Sequence, residues 1–172
     1  METGEPEVLL MGAAIIDVLV RPADEEVFRT GSYPAEDIRM SVGADALNEA
    51  TVLARMGKPV RLVTVIGNDL AGRFLIEHCR REGIGLSDGC VRDGMATGIN
   101  VVLVGEDGRR NFLTNASGSL RKLCLGDIQT PFPKSVKIVC FASIFVFPRI
   151  RAEELRRIFA CAKKQGKIVC AD

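Results

Sequence analysis

The chain has 172 residues, the size of one compact domain, with 47% hydrophobic and 26% charged residues, the balance of a soluble globular protein with a core. Lys and Arg total 23 against 22 for Asp and Glu, a net charge of +1 that offers no general attraction to a phosphate backbone and argues against nucleic acid as a partner. No apolar run reaches the roughly 20 residues of a membrane-spanning helix, which argues against a membrane partner.

In chain order, the N-terminus Met1–Glu7 is acidic, and the apolar run Val8–Ile16 lacks a basic flank. It reads as a buried first strand ahead of Asp17, not as a signal peptide, and the expected location is cytoplasmic. Val18–Val42 carries Gly31 and Pro34 and no long helical pattern. Asp45–Met56 repeats Ala46, Ala50, Leu53, Ala54 and Met56 at helical spacing and stops at Gly57. Arg61–Ile66 reads as a strand. A helix capped by Asp69 follows over Ala71–Arg81, with Phe74, Leu75 and Ile76 as core candidates and Gly83 as its stop. Ile99–Val104 and Arg110–Thr114 flank an Asp-Gly pair and predict a β-hairpin. A strand over Val136–Ala142, a helix over Ala152–Lys164 and a strand over Lys167–Ala171 complete the chain. Strands alternating with helices predict an open α/β sheet. The segments 18–42 and 97–114 fall outside that alternation and suggest a small separate β layer.

Six cysteines are present, none spaced as Cys-x-x-Cys, and the single histidine, His78, adjoins Cys79 where helical metal ligands need spacings of three or four. Free thiols are therefore expected, with Cys140 and Cys170 in core strands and no metal ligands. His78 is expected at the surface or its boundary. No Gly-x-x-x-x-Gly-Lys-Ser/Thr phosphate loop occurs. Gly83-Ile84-Gly85 follows a helix, where a dinucleotide fingerprint must follow a strand, so a helix stop and turn is the expected reading and a nicotinamide dehydrogenase is disfavoured.

More informative is Ser41-Val42-Gly43-Ala44-Asp45-Ala46-Leu47-Asn48-Glu49-Ala50. Small residues leading into a helix with Asp and Asn in its first turn bring backbone amides and polar side chains together. Such a surface suits a neutral polyol: a carboxylate accepts from adjacent hydroxyls, and an amide both donates and accepts. Read alone, the same residues also describe an ordinary capped helix after a turn.

With its context, the segment resembles the signature of the ribokinase-like, or PfkB, carbohydrate kinases: Gly43, Ala44, Ala46, Asn48, Ala50, Gly57 and Gly67 fall in the family's spacing, with Ala44 where the family has a second glycine. Gly67-Asn68-Asp69-Leu70-Ala71-Gly72 through Glu82-Gly83-Ile84 is similar to a second family segment, and Met11–Asp17 to its first strand, ending in a substrate-binding Asp. The resemblance implies a Rossmann-like open sheet flanked by helices with a small β lid. Residues 1–172 would form the N-terminal part of one such domain, with lid strands from roughly 18–42 and 97–114. It implies that Asp17, Gly43, Ala44, Asp45 and Asn48 contact a sugar, and that the hairpin around Asn100 and Phe112 closes over it and serves as a dimer contact. ATP and magnesium are the implied cofactors, and a sugar or, as the alternative, a nucleoside the implied acceptor.

The family's Gly-Ala-Gly-Asp anion hole and base, and its Asn-x-x-Glu motif, do not occur in this sequence. No catalytic, nucleotide-binding or metal-binding residue is therefore assigned, and the chain alone is expected to lack kinase activity. The expectation is an N-terminal portion of a longer enzyme; the alternative is a non-catalytic sugar-binding or interaction module. An alanine at position 44 is expected to be strained if the backbone there has positive φ.

Overall fold

The computed structural model describes residues 5–172, so the first four residues of the acidic N-terminus lie outside it. Strand β1 (Val8–Met11) is buried along its whole length. The apolar run expected as one strand over 8–16 divides after it. Gly12 takes φ +154°, and a Cβ there would lie 2.7 Å from the Ala46 Cβ, so the chain turns in a space only glycine fills. Strand β2 (Ile15–Arg21) then enters a different sheet, and Asp17 lies within it instead of at the end of a core strand.

Strand β3 (Asp37–Gly43) returns antiparallel to β2 and leads into helix α1 (Asp45–Arg55). The expected strand 61–66 also divides, into β4 (Val60–Val63) and β5 (Ile66–Gly67). Helix α2 (Leu70–Glu82) begins at Asp69, whose side chain accepts from the Gly72 amide, and stops at Gly83, which has φ +74°. Short strands β6 (Gly85–Leu86) and β7 (Val91–Arg92) follow, then the hairpin of β8 (Ile99–Val104) and β9 (Arg110–Thr114). The last elements are β10 (Ile138–Phe141), α3 (Ala152–Lys164) and β11 (Ile168–Ala171).

Five strands form a parallel sheet in the order β11-β10-β1-β4-β6. Alternation along β1 sends Leu9 and Met11 to one face, packed with Ile158 and Ala162 of α3, and Val8 and Leu10 to the other, packed with Leu47 and Ala50 of α1 and Leu75 of α2. This is the expected α/β architecture, an open parallel sheet with helices on both faces. A four-stranded sheet, β3-β2-β8-β9, stands apart from it, and β5 pairs with β7 alone.

Several single-residue expectations are corrected. Phe74 is exposed, since α2 turns that position away from the sheet. His78 is buried at 7% exposure, its Nε2 2.9 Å from the Thr51 Oγ1. The Thr51 hydroxyl donates its only proton to the Leu47 carbonyl at 2.7 Å, so the histidine is the donor in that contact. All six cysteines are free, but Cys170 is exposed on the edge strand β11 and Cys140 only half-buried. No helix among the described residues is long and apolar enough to cross a membrane.

Candidate functional site

The four-stranded sheet places a polar row across three of its strands. Register sets Asp17 of β2 beside Asn100 of β8, and Asn100 beside Thr114 of β9. The Thr114 hydroxyl donates to the Asn100 Oδ1 at 2.7 Å, and the Asn100 amide nitrogen donates to the Asp17 Oδ1 at 3.2 Å. The first contact fixes the amide so that its donor end faces the carboxylate.

Gly43 closes the other side of Asp17. A Cβ at position 43 would lie 2.0 Å from the Asp17 Oδ2 and 2.7 Å from its Cγ, so only glycine lets β3 approach the carboxylate. Burial pushes the Asp17 carboxyl above the usual carboxylate range, and the Asn100 hydrogen bond offsets part of that effect. The result is a half-buried carboxylate with an oriented amide beside it, a set that accepts from one hydroxyl and donates to another.

Along the same face, Leu19, Val102 and Phe112 line a cavity of about 360 Å³ that Asp17 also borders. Phe112 is exposed there, with its ring free to cover the apolar face of a ligand. Asn100 and Phe112 thus share one face with Asp17.

Ala44 connects this site to α1. It is the N-cap residue, with φ 73° and ψ 148°, in a region that is essentially glycine territory. Asp45, in the first turn, accepts a hydrogen bond from the Ser143 hydroxyl just after β10. Asn48 is exposed one turn on. Asp17 therefore touches both Gly43 and Asn100, whereas Asp45 is engaged toward β10. The neighbouring Glu49 carboxyl is raised by burial and accepts from the Cys140 thiol at 3.5 Å.

Thr114 and Ser143 carry positioning roles that the sequence pattern did not single out. Thr114 had one available signal: it ends the hairpin arm that must face the start of Ile99–Val104. Ser143, at φ 55°, had none, because its partner lies 98 residues away.

Among the described residues, no group of three or more His, Cys, Asp or Glu is placed to hold a metal ion, and no phosphate loop occurs in the sequence.

Comparison with known proteins gives a consistent picture. The pfkB family carbohydrate kinase pattern matches residues 5–172. An uncharacterized sugar kinase of Escherichia coli K12 is 34% identical over 102 residues, covering 59% of this chain and 28% of that protein. A 5-dehydro-2-deoxygluconokinase of Clostridium perfringens is 24% identical over 133 residues, covering 76% of this chain and 39% of its own. The crystal structure of a fructokinase from Xylella fastidiosa superposes with a TM-score of 0.77 at 25% identity, covering 98% of this chain and 50% of that one. The same fructokinase, solved with bound ATP, superposes at 0.75. The chain thus spans between 28% and 52% of the length of these relatives. With the parallel sheet, its flanking helices and a match along nearly the whole sequence, the chain belongs to the pfkB family of carbohydrate kinases.

Proposed function

We propose that this chain supplies the acceptor-binding part of an ATP-dependent sugar kinase. The supporting observation is the Asp17 carboxylate, packed on Gly43 and oriented by Asn100 on one face of the second sheet. In this reading that sheet is the lid over the sugar. Asp17 accepts from one sugar hydroxyl, the Asn100 amide contacts a neighbour, and Phe112 covers the carbon skeleton. Ala44, Asp45 and Asn48 border the acceptor at the start of α1. ATP would supply the phosphoryl group and magnesium its charge neutralisation, both held by residues other than those described. The chain by itself is expected to turn over no ATP.

The opposite face of the lid carries the apolar row Met40, Val18, Val101 and Leu113, in register across all four strands, with Met40 and Leu113 more than half exposed. We propose it as the contact between two copies of the chain.

Asp17→Asn tests the acceptor reading. Because burial raises the folded-state pKa, the stabilising contribution of Asp17 is present below its unfolded value near 3.8 and is lost as pH rises through the raised one. At neutral pH the ionised group therefore opposes folding, and the amide is expected to keep or raise the thermal midpoint. It is also expected to abolish any sugar-induced rise in that midpoint. A sugar-induced rise of equal size in wild type and Asp17→Asn would refute the assignment.

A further inference from the structure

The polar row Asp17–Asn100–Thr114 borders a second cavity at its Thr114 end. This one has a volume of about 390 Å³ and is lined by Thr114, Asn115, Leu120, Arg121, Lys122 and Arg149, among others. Three cations meet there from two separate segments: Arg121 and Lys122 from the turn after β9, and Arg149 from the loop between β10 and α3. No Asp or Glu lines the cavity. None of the three cations forms an ion pair among the described residues, although nine other Arg or Lys side chains do.

The walls are held in place. The Asn115 amide donates to the Thr97 carbonyl at 3.0 Å and its oxygen accepts from the Ile99 amide at 2.8 Å. Ser119 is buried, and its hydroxyl accepts from the Gly98 amide at 3.0 Å. The loop bearing Arg121 and Lys122 is thereby tied to the start of β8, the strand that carries Asn100. Three like charges around one concave space repel each other, and an anion placed among them gains from all three. Arginines add paired donors that match a carboxylate or phosphate. Thr114 belongs both to this cavity and to the row that orients Asp17. Two strand spacings, about 10 Å, separate the backbones of Asp17 and Thr114, a distance one small acceptor can bridge.

We infer that this cavity receives an acidic group of the acceptor: the substrate is a sugar bearing a carboxylate or a phosphate, with its hydroxyls at Asp17 and its anionic end among Arg121, Lys122 and Arg149. This rests on the acceptor reading of Asp17.

Glucose, gluconate, glucose 6-phosphate and inorganic phosphate serve as matched probes of the 172-residue chain, read by calorimetry and thermal shift at low and high salt. At least one of the two anionic sugars is expected to bind about tenfold or more tightly than glucose, the scale of one or two charge-assisted hydrogen bonds. That preference should shrink at high salt and vanish in an Arg121→Gln, Lys122→Gln, Arg149→Gln variant. Arg149→Lys, which keeps the charge, should retain most of it and serves as the folded control. Gluconate against glucose 6-phosphate decides between carboxylate and phosphate. Equal binding of neutral and anionic sugars, each dependent on Asp17, would overturn this inference and leave the acceptor reading standing. Anion binding that survives Asp17→Asn undiminished, or that inorganic phosphate matches in full, would make the cavity a free anion site and overturn it too. So would the absence of any anion-induced rise in wild type beyond that of the triple variant.

Discussion

Replacing Ala44 by glycine should stabilise the fold. Ala44 holds φ 73° and ψ 148° at the start of α1, where a Cβ crowds the backbone and only glycine is at ease. Strain of this kind amounts to about 1–3 kcal/mol. Two effects oppose its release. Glycine gives the unfolded chain more freedom, about 0.4–1 kcal/mol. The half-buried Ala44 methyl, packed against the cluster that contains Phe141 and Ile158, also loses part of the roughly 0.8 kcal/mol expected for one buried carbon. The balance is a gain of about 1 kcal/mol, or some 2–4 °C in midpoint for a chain of this length. Urea unfolding followed by far-UV circular dichroism, alongside calorimetric scans, measures it. Ala44→Val, with a branched side chain at the same φ, should lose stability. The same glycine variant should change the affinities measured on a sugar panel, because residue 44 sits between Gly43 and Asp45. A lowered midpoint in Ala44→Gly would refute the strain argument, and unchanged affinities would refute the role in acceptor choice.

Gly43→Ala forces a carbon to 2.0 Å from the Asp17 Oδ2, so the carboxylate must swing away from Asn100; sugar affinity should fall at least about tenfold, with about 1–3 kcal/mol of lost stability. Titration calorimetry and urea unfolding read the two effects. Burial holds the His78 imidazole below its ordinary value of 6.5, so its contribution to stability is complete above that pH and is lost as pH falls through the lowered folded value. Urea midpoints measured between pH 7.5 and 5 should therefore decline, and His78→Gln should flatten the decline; an identical slope in both proteins would disprove it. If the proposed dimer forms, charging the outer face of the four-stranded sheet with Met40→Glu and Leu113→Glu should convert it to a monomer in light scattering, and a wild-type monomer at high concentration would remove the dimer proposal.

The start of α2 and the hairpin were legible because their signals are local. Asp69 caps its own helix three residues on, and Asp107-Gly108 sits inside the turn it makes. The divisions at Gly12 and at Thr64 were not legible. Leu10 and Ile16 are equally buried, but in different sheets, so one apolar run serves two strands and hydropathy cannot show the joint. His78 was misplaced for a related reason: its burial is set by Thr51 on another helix, 27 residues away. Cys170 reads as a core residue by pattern, whereas its exposure follows from β11 being the outermost strand of the sheet. Of the candidate site, Asp17, Gly43 and Asn100 were named from the sequence, because a resemblance carries positions. The direction of the Asn100 amide was not, since it depends on Thr114 across the hairpin.

The second glycine-bearing segment explains how those positions are kept. Asp69 receives three hydrogen bonds: from the Gly72 amide at 2.8 Å, from the Thr97 hydroxyl at 2.6 Å and from the Thr97 amide at 2.8 Å. Burial alone would raise this carboxyl, but the three donors outweigh it and hold the group below the usual range. Thr97, fully buried, also accepts from the Gly67 amide at 3.0 Å. Thr97 is followed by Gly98 and then by β8, so this knot sets where Asn100 begins its approach to Asp17. Asp69 touches no proposed ligand atom, yet it fixes the strand that orients the Asp17 carboxylate. The two motifs therefore divide the work: Gly43 makes room for Asp17 from one side, and Gly67–Gly72, acting through Thr97, delivers Asn100 from the other.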